Sequence, residues 1–184
     1  MRSIKANLLF VALYFIVSSA AAAETAAQPA SPDYLVIQVN GIVCSFCAYG
    51  TEKNLRRLEF LDKTQYGGDG VLVNINAHTI TLALQRQLPV QYAQINAAIL
   101  KGGYDPIAYY VMIRGVIRAG TEEGTVAYQL VNEDNGQVYS LPSGTDLDLQ
   151  PGRIVSIRTV LTPAQTASLS DGQAISLSSV ERQL

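Results

Sequence analysis

Tyr34-Leu35-Val36-Ile37-Gln38-Val39-Asn40-Gly41-Ile42-Val43-Cys44-Ser45-Phe46-Cys47 decides the fold. The first seven residues are rich in β-branched, aromatic and aliphatic side chains and are expected to form a strand. A helix is expected to start around Ser45 or Cys47 and run to about Leu61. Leu55, Leu58 and Leu61 stand at helical spacing there, with Glu52, Lys53, Arg56 and Arg57 facing out. Cys44 and Cys47 are the only cysteines of the chain, and they fall at the strand–helix junction. Backbone N–H groups and the helix dipole at such a junction favour thiolate. Thiolate is both the soft-metal ligand and the redox nucleophile, so this pair is the candidate site.

Downstream, Lys63 to Gly70 contains Gly67, Gly68 and Gly70 and reads as a loop. It lacks the lysine of a phosphate-binding loop and precedes a strand, not a helix. Val71 to Asn76 and Thr79 to Leu84 alternate as strands, with Asn76-Ala77-His78 turning between them. Pro89 suits a helix's first turn. The helix that follows runs to Lys101, buries Tyr92, Ile95 and Ile99, and stops at Gly102-Gly103. Ile107 to Ile113 is a further strand. The order β-α-β-β-α-β is the split, ferredoxin-like motif. A right-handed crossover places the third strand between the first two. Cys44, Cys47, His78 and Tyr104 are then expected at one end of the sheet.

From Arg114 onward the pattern is all-β. Gly115–Ala119, Thr125–Val131, Gln137–Leu141, Arg153–Leu161 and Ala174–Glu181 read as five short strands, and Glu133-Asp134-Asn135-Gly136 as a hairpin turn. The fold class expected is α+β: a ferredoxin-like domain at 34–113 followed by a small OB-like barrel at 114–184.

Ahead of the first strand, Arg2 and Lys5 precede an apolar run from Leu8 to Val17 and an A-x-A site at Ala21 and Ala23. Residues 1–23 are therefore expected to be a secretory signal peptide, and 24–33 a flexible lead-in rich in Ala, Pro and Ser. The apolar run is shorter than the ~20 residues of a membrane span. The expected location is outside the cytoplasm, in a periplasm, with no span in the mature chain. Losing Arg2 and Lys5 from thirteen basic residues leaves eleven against fifteen acidic ones, a formal charge of −4. That balance disfavours a nucleic-acid partner, including the single strands that OB folds often bind.

Residues 34–113 resemble the heavy-metal-associated domain family, which includes copper chaperones, periplasmic mercury-binding proteins and the N-terminal modules of metal-pumping ATPases. The family pattern G-M-x-C-x-x-C is similar to Gly41-Ile42-Val43-Cys44-Ser45-Phe46-Cys47, and its later G-Y to Gly103-Tyr104. The resemblance implies that Cys44 and Cys47 bind one soft metal ion and pass it to a partner protein by thiolate exchange. Ile42 replaces the usual Met, and Thr51 stands where Ile or Val is usual. Val43 stands where copper and mercury binders often carry Thr and zinc binders often carry Asp, which disfavours zinc export.

Two thiolates suit ions content with low coordination, such as Cu(I), the favoured ion, or Hg(II), whereas structural zinc takes four ligands. His78 is a candidate third ligand or a plain turn residue, and Tyr104 a candidate cover for the site or a core aromatic. Phe46, between the cysteines, is a candidate docking contact. No enzyme is expected: a Ser-His-Asp triad would need His78, and no nucleophile motif accompanies it. Two alternatives stay open. One is a thiol–disulfide oxidoreductase, although Ala48 rather than Pro follows the motif; a plain disulfide is the inert version of the same pairing. The other is an interaction protein acting through its β-rich half.

Overall fold

A computed structural model describes residues 33–43, 45–122, 125–145, 150–167 and 174–182. The expected signal peptide and all of the lead-in except Asp33 lie outside the described residues. Residues 31–184 form one compact unit, mixed α+β and mostly sheet.

β1 (Asp33–Asn40) leads into α1 (Ser45–Leu55), then β2 (Val71–Asn74), β3 (Thr79–Leu84), α2 (Tyr92–Lys101) and β4 (Asp105–Glu122). The strands of this half lie in the order β2-β3-β1-β4, each neighbouring pair antiparallel. Alternation in the sequence explains the layering. Leu35, Ile37 and Val39 of β1 and Ile80 and Leu82 of β3 are buried with Tyr92, Ile95 and Ile99 of α2 in one core. Between them, Tyr34 of β1 and Leu72 of β2 stay exposed.

α1 ends earlier than its leucine spacing predicts. Arg57 N–H bonds the Asn54 carbonyl and Leu58 N–H the Leu55 carbonyl, an i+3 tightening that closes the helix. Leu58 and Leu61 are buried all the same, on a turn segment whose Leu61 bridges to Leu84.

The last strand of the first half does not stop near Ile113. β4 is one strand of 18 residues, and the boundary expected between Ile113 and Arg114 falls inside it. Glycine stands inside this strand, at the point where a separate strand was expected to begin. The cause is tertiary: a Cβ at Gly115 would stand 2.5 Å from the Val131 carbonyl oxygen. The residue admits a close backbone approach instead of ending the strand.

β4 then pairs with β5 (Thr125–Val131), which turns into β6 (Val138–Ser140) at the expected Glu133–Gly136 hairpin. β7 (Ile154–Leu161) pairs β4 from Tyr109 to Val116. β8 (Ile175–Ser176) lies parallel to β6, and β9 (Glu181–Arg182) antiparallel to β7. Among the described residues these pairings do not close a barrel: β8 ends the path on one side and β9 on the other. α3 (Pro163–Ala167), unexpected from the sequence, follows β7. Thr162 N–H donates to Gln165 Oε1 at 2.8 Å and Gln165 N–H to Thr162 Oγ1 at 3.4 Å, a capping box with Pro163 at the first helical position.

The core also holds tyrosines. Tyr92 and Tyr109 meet edge to face with centroids 5.6 Å apart, and Tyr109 donates to Asn96 Oδ1 at 2.6 Å. Burial raises the pKa of Tyr92, Tyr109 and Tyr139 well above the ordinary phenol value.

Candidate functional site

β1 delivers the chain to the loop at Asn40. Gly41 follows with φ +89°, a conformation that side-chain-bearing residues rarely adopt. Ile42 is fully buried beneath the loop, whereas Val43 is 75% exposed. Cys44 lies outside the described residues. α1 begins at Ser45, so the backbone of Cys47 sits in its first turn, which carries no acidic residue; the Cys47 side chain also lies outside what is described.

Tyr104 is brought to this loop by the end of α2. Tyr104 N–H bonds the Ile99 carbonyl at 3.3 Å and Gly103 N–H the Leu100 carbonyl at 2.9 Å, with Gly103 at φ +87°. This is the Schellman closure, and it turns the chain sharply into β4. The Tyr104 ring is buried, and a Cβ on Gly41 would stand 3.4 Å from its Cδ1. Gly41 and Gly103-Tyr104, read from the sequence as two halves of one pattern, are thus in contact.

His78 reaches the same end of the sheet. Val39 N–H donates to its carbonyl at 3.0 Å, and Gln38 Nε2 donates to the neighbouring Ala77 carbonyl at 3.4 Å. His78 has φ +51° and an exposed side chain, as a turn residue would. Among the described residues no three His, Cys, Asp or Glu side chains gather closely enough to hold a metal ion.

Two features escaped the sequence. Val43, Phe46 and Tyr49 recur every third residue and are 75%, 88% and 55% exposed, so three apolar side chains stand in solvent beside the motif. Only Phe46 was legible, from its place between the cysteines. The second is the seat of α1 on α2. Thr51 is fully buried, and a Cβ on Gly102 would lie 2.8 Å from its Cβ and 2.9 Å from its Cα. Asn54 Nδ2 donates to the Ala98 carbonyl at 3.3 Å. The end of α2 therefore holds α1 one turn beyond Cys47. On the outer side, Arg56 bonds Glu52 and lies 3.0 Å from Asp69.

In comparisons with known proteins the chain matches no family model, no curated protein and no solved structure. No helix among the described residues is long and apolar enough to cross a membrane.

Proposed function

We propose that this chain is an exported carrier of a soft metal ion, Cu(I) in preference to Hg(II), with Cys44 and Cys47 as the ligands. The observation that carries it is the contact of Tyr104 with Gly41 beside a C-x-x-C at a strand–helix junction. Residues 34–113 are then a ferredoxin-like module of the heavy-metal-associated type. The strand order β2-β3-β1-β4 with two helices supports this, as do the motif residues themselves.

Chemically, two thiolates at the N-terminus of α1 hold a linear or near-linear ion and leave it open to a third thiolate. Attack by a partner's cysteine followed by loss of Cys44 or Cys47 moves the ion without its ever being free. Val43, Phe46 and Tyr49 give that partner an apolar landing surface beside the ion. His78 and Tyr104 are accessory: the first a turn residue near the site, the second the packing that sets the loop.

The test is anaerobic titration of the reduced protein with Cu(I) against a competing chelator. One tightly held equivalent is expected, lost in both Cys44→Ser and Cys47→Ser. Tight binding retained in both variants refutes the proposal.

A further inference from the structure

The sequence carries two Asn-Gly pairs, Asn40-Gly41 and Asn135-Gly136. In such a pair the backbone nitrogen of the second residue can attack the side-chain amide of the first, because glycine has no Cβ to obstruct the approach. The fold treats the two pairs differently.

Asn135-Gly136 is pinned. Asn135 Oδ1 accepts from Gln137 N–H at 3.0 Å, and its Nδ2 donates to the Leu88 carbonyl at 3.3 Å. Gly136 N–H, the nucleophile such an attack needs, donates to the Asn132 carbonyl at 2.8 Å. Bringing Gly136 N onto Asn135 Cγ therefore breaks three hydrogen bonds in the turn between β5 and β6.

Asn40-Gly41 is held by far less. Both residues are exposed, and among the described residues neither the Asn40 side chain nor the Gly41 N–H has a hydrogen-bond partner. Asn40 is the last residue of β1, and its pairing with Asp105 is the last of the β1–β4 ladder. Ring closure takes Asn40 out of extended backbone. That frays this terminal pair and leaves Val39 and the residues before it in place.

We propose that Asn40 is a site of spontaneous deamidation, and that Asn135, in the same dipeptide, is protected from it. Gly41 N gives up its proton and forms a bond to Asn40 Cγ, and Nδ2 leaves with a proton as ammonia. Water then opens the five-membered imide. Hydrolysis of the bond from nitrogen to Cγ gives aspartate at position 40. Hydrolysis of the bond from nitrogen to the backbone carbonyl carbon gives isoaspartate, with the main chain rerouted through Cγ. Water is the one co-reactant, and nothing is oxidised or reduced. Either product adds a carboxylate where β1 meets Asp105, and like charges opposed across an antiparallel pair repel. Asp105 adjoins Tyr104, whose ring packs near Gly41, so the loosened pair lies at the foot of the loop that carries the cysteines. The modification thus writes the age of a molecule onto that loop, whether or not the cysteines hold metal.

The experiment is incubation of the purified chain at mildly alkaline pH, folded and in urea, with peptide mass mapping of the amide-to-acid exchange at each asparagine. In the folded chain Asn40 is expected to convert about tenfold or more faster than Asn135, the least that breaking three further hydrogen bonds implies. In urea the two rates should approach each other, because the dipeptides are the same. Asn40→Asp, which supplies the product's charge directly, is expected to lower Tm by about 1–3 °C at neutral pH, and the difference should vanish in an Asp105→Asn background. Asn135 converting as fast as Asn40 in the folded chain, or a rate ratio unchanged by urea, would overturn the assignment of the site. An Asn40→Asp chain as stable as the parent would overturn the loosening at Asp105.

Discussion

Replacing Gly102 with alanine should weaken the protein despite alanine's better backbone propensity. Gly102 has φ −77° and ψ −7°, a conformation alanine adopts freely. Taken alone, the change would stabilise by about 0.4–1 kcal/mol through the unfolded state. Packing opposes this. The new Cβ would fall on Thr51 Oγ1 and lie 2.8 Å from Thr51 Cβ and 2.9 Å from its Cα. Rotating the Thr51 side chain clears the oxygen but moves neither carbon. To restore ordinary contact, α1 and α2 must separate by the better part of an ångström, through a core that includes Leu55 and Ile99. Overpacking of this kind costs about 1–3 kcal/mol, sometimes more. The net expectation is a loss of about 1–1.5 kcal/mol, or roughly 2–6 °C in Tm for a domain of this size.

Thermal and urea unfolding followed by circular dichroism measure it. Thr51→Ala removes a buried hydroxyl with no partner among the described residues, so alone it should cost little. In the double variant Cβ and Cα of residue 51 stay in place, so the loss should persist and the two changes should be close to additive. A Gly102→Ala protein as stable as the parent, alone or with Thr51→Ala, would refute the close approach of the helices.

Gly115→Ala should cost about 2 kcal/mol or more, because the 2.5 Å contact is with the Val131 backbone, which cannot rotate away; urea unfolding reads it. Tyr109→Phe leaves the buried Asn96 Oδ1 without its 2.6 Å donor and should lower stability by about 1–3 kcal/mol in the same assay. Tyr92, Tyr109 and Tyr139 have folded pKa values raised above the ordinary 10, so the unfolded chain releases their protons first. Their stabilising contribution is complete below pH 10 and is lost above it, by about 4 kcal/mol per pH unit for the three together. Alkaline unfolding should then coincide with the tyrosinate absorbance step at 295 nm; titration of these tyrosines without loss of tertiary structure would contradict their burial.

Much of the first half was legible because its signals are local. Alternation in Thr79–Leu84 marks β3 to the residue, and the Gly102-Gly103 stop marks the end of α2. Gly41 and Tyr104 were legible as a pattern, but their contact needed the fold. The misreadings share one cause. Leu58 and Leu61 keep helical spacing while the chain turns, since burial against Leu84 and its neighbours holds them, not the helix. A separate strand was expected from Gly115, because sequence cannot show the Val131 carbonyl approaching a glycine inside β4. Thr51 stood out only as a departure from the usual Ile or Val until Gly102 supplied its neighbour. The exception is α3. Thr162-Pro163-Ala164-Gln165 carries a local capping signature that the strand pattern on either side obscured. Asp33, Arg86 and Asp134 meet in one ion-paired group drawn from three separate segments, a convergence no local spacing encodes.

β4 sets a schedule for biosynthesis. Tyr109, at the centre of the first half's core, pairs with Leu161 on β7, which leaves the ribosome about fifty residues later. At typical elongation rates that is a wait of roughly 3–10 s with one edge of β4 uncovered. An open edge flanked by apolar side chains is where chains join one another wrongly. A nascent chain halted before Leu161 would therefore be the form most in need of a chaperone, and expressing residues 33–113 alone would make that form permanent.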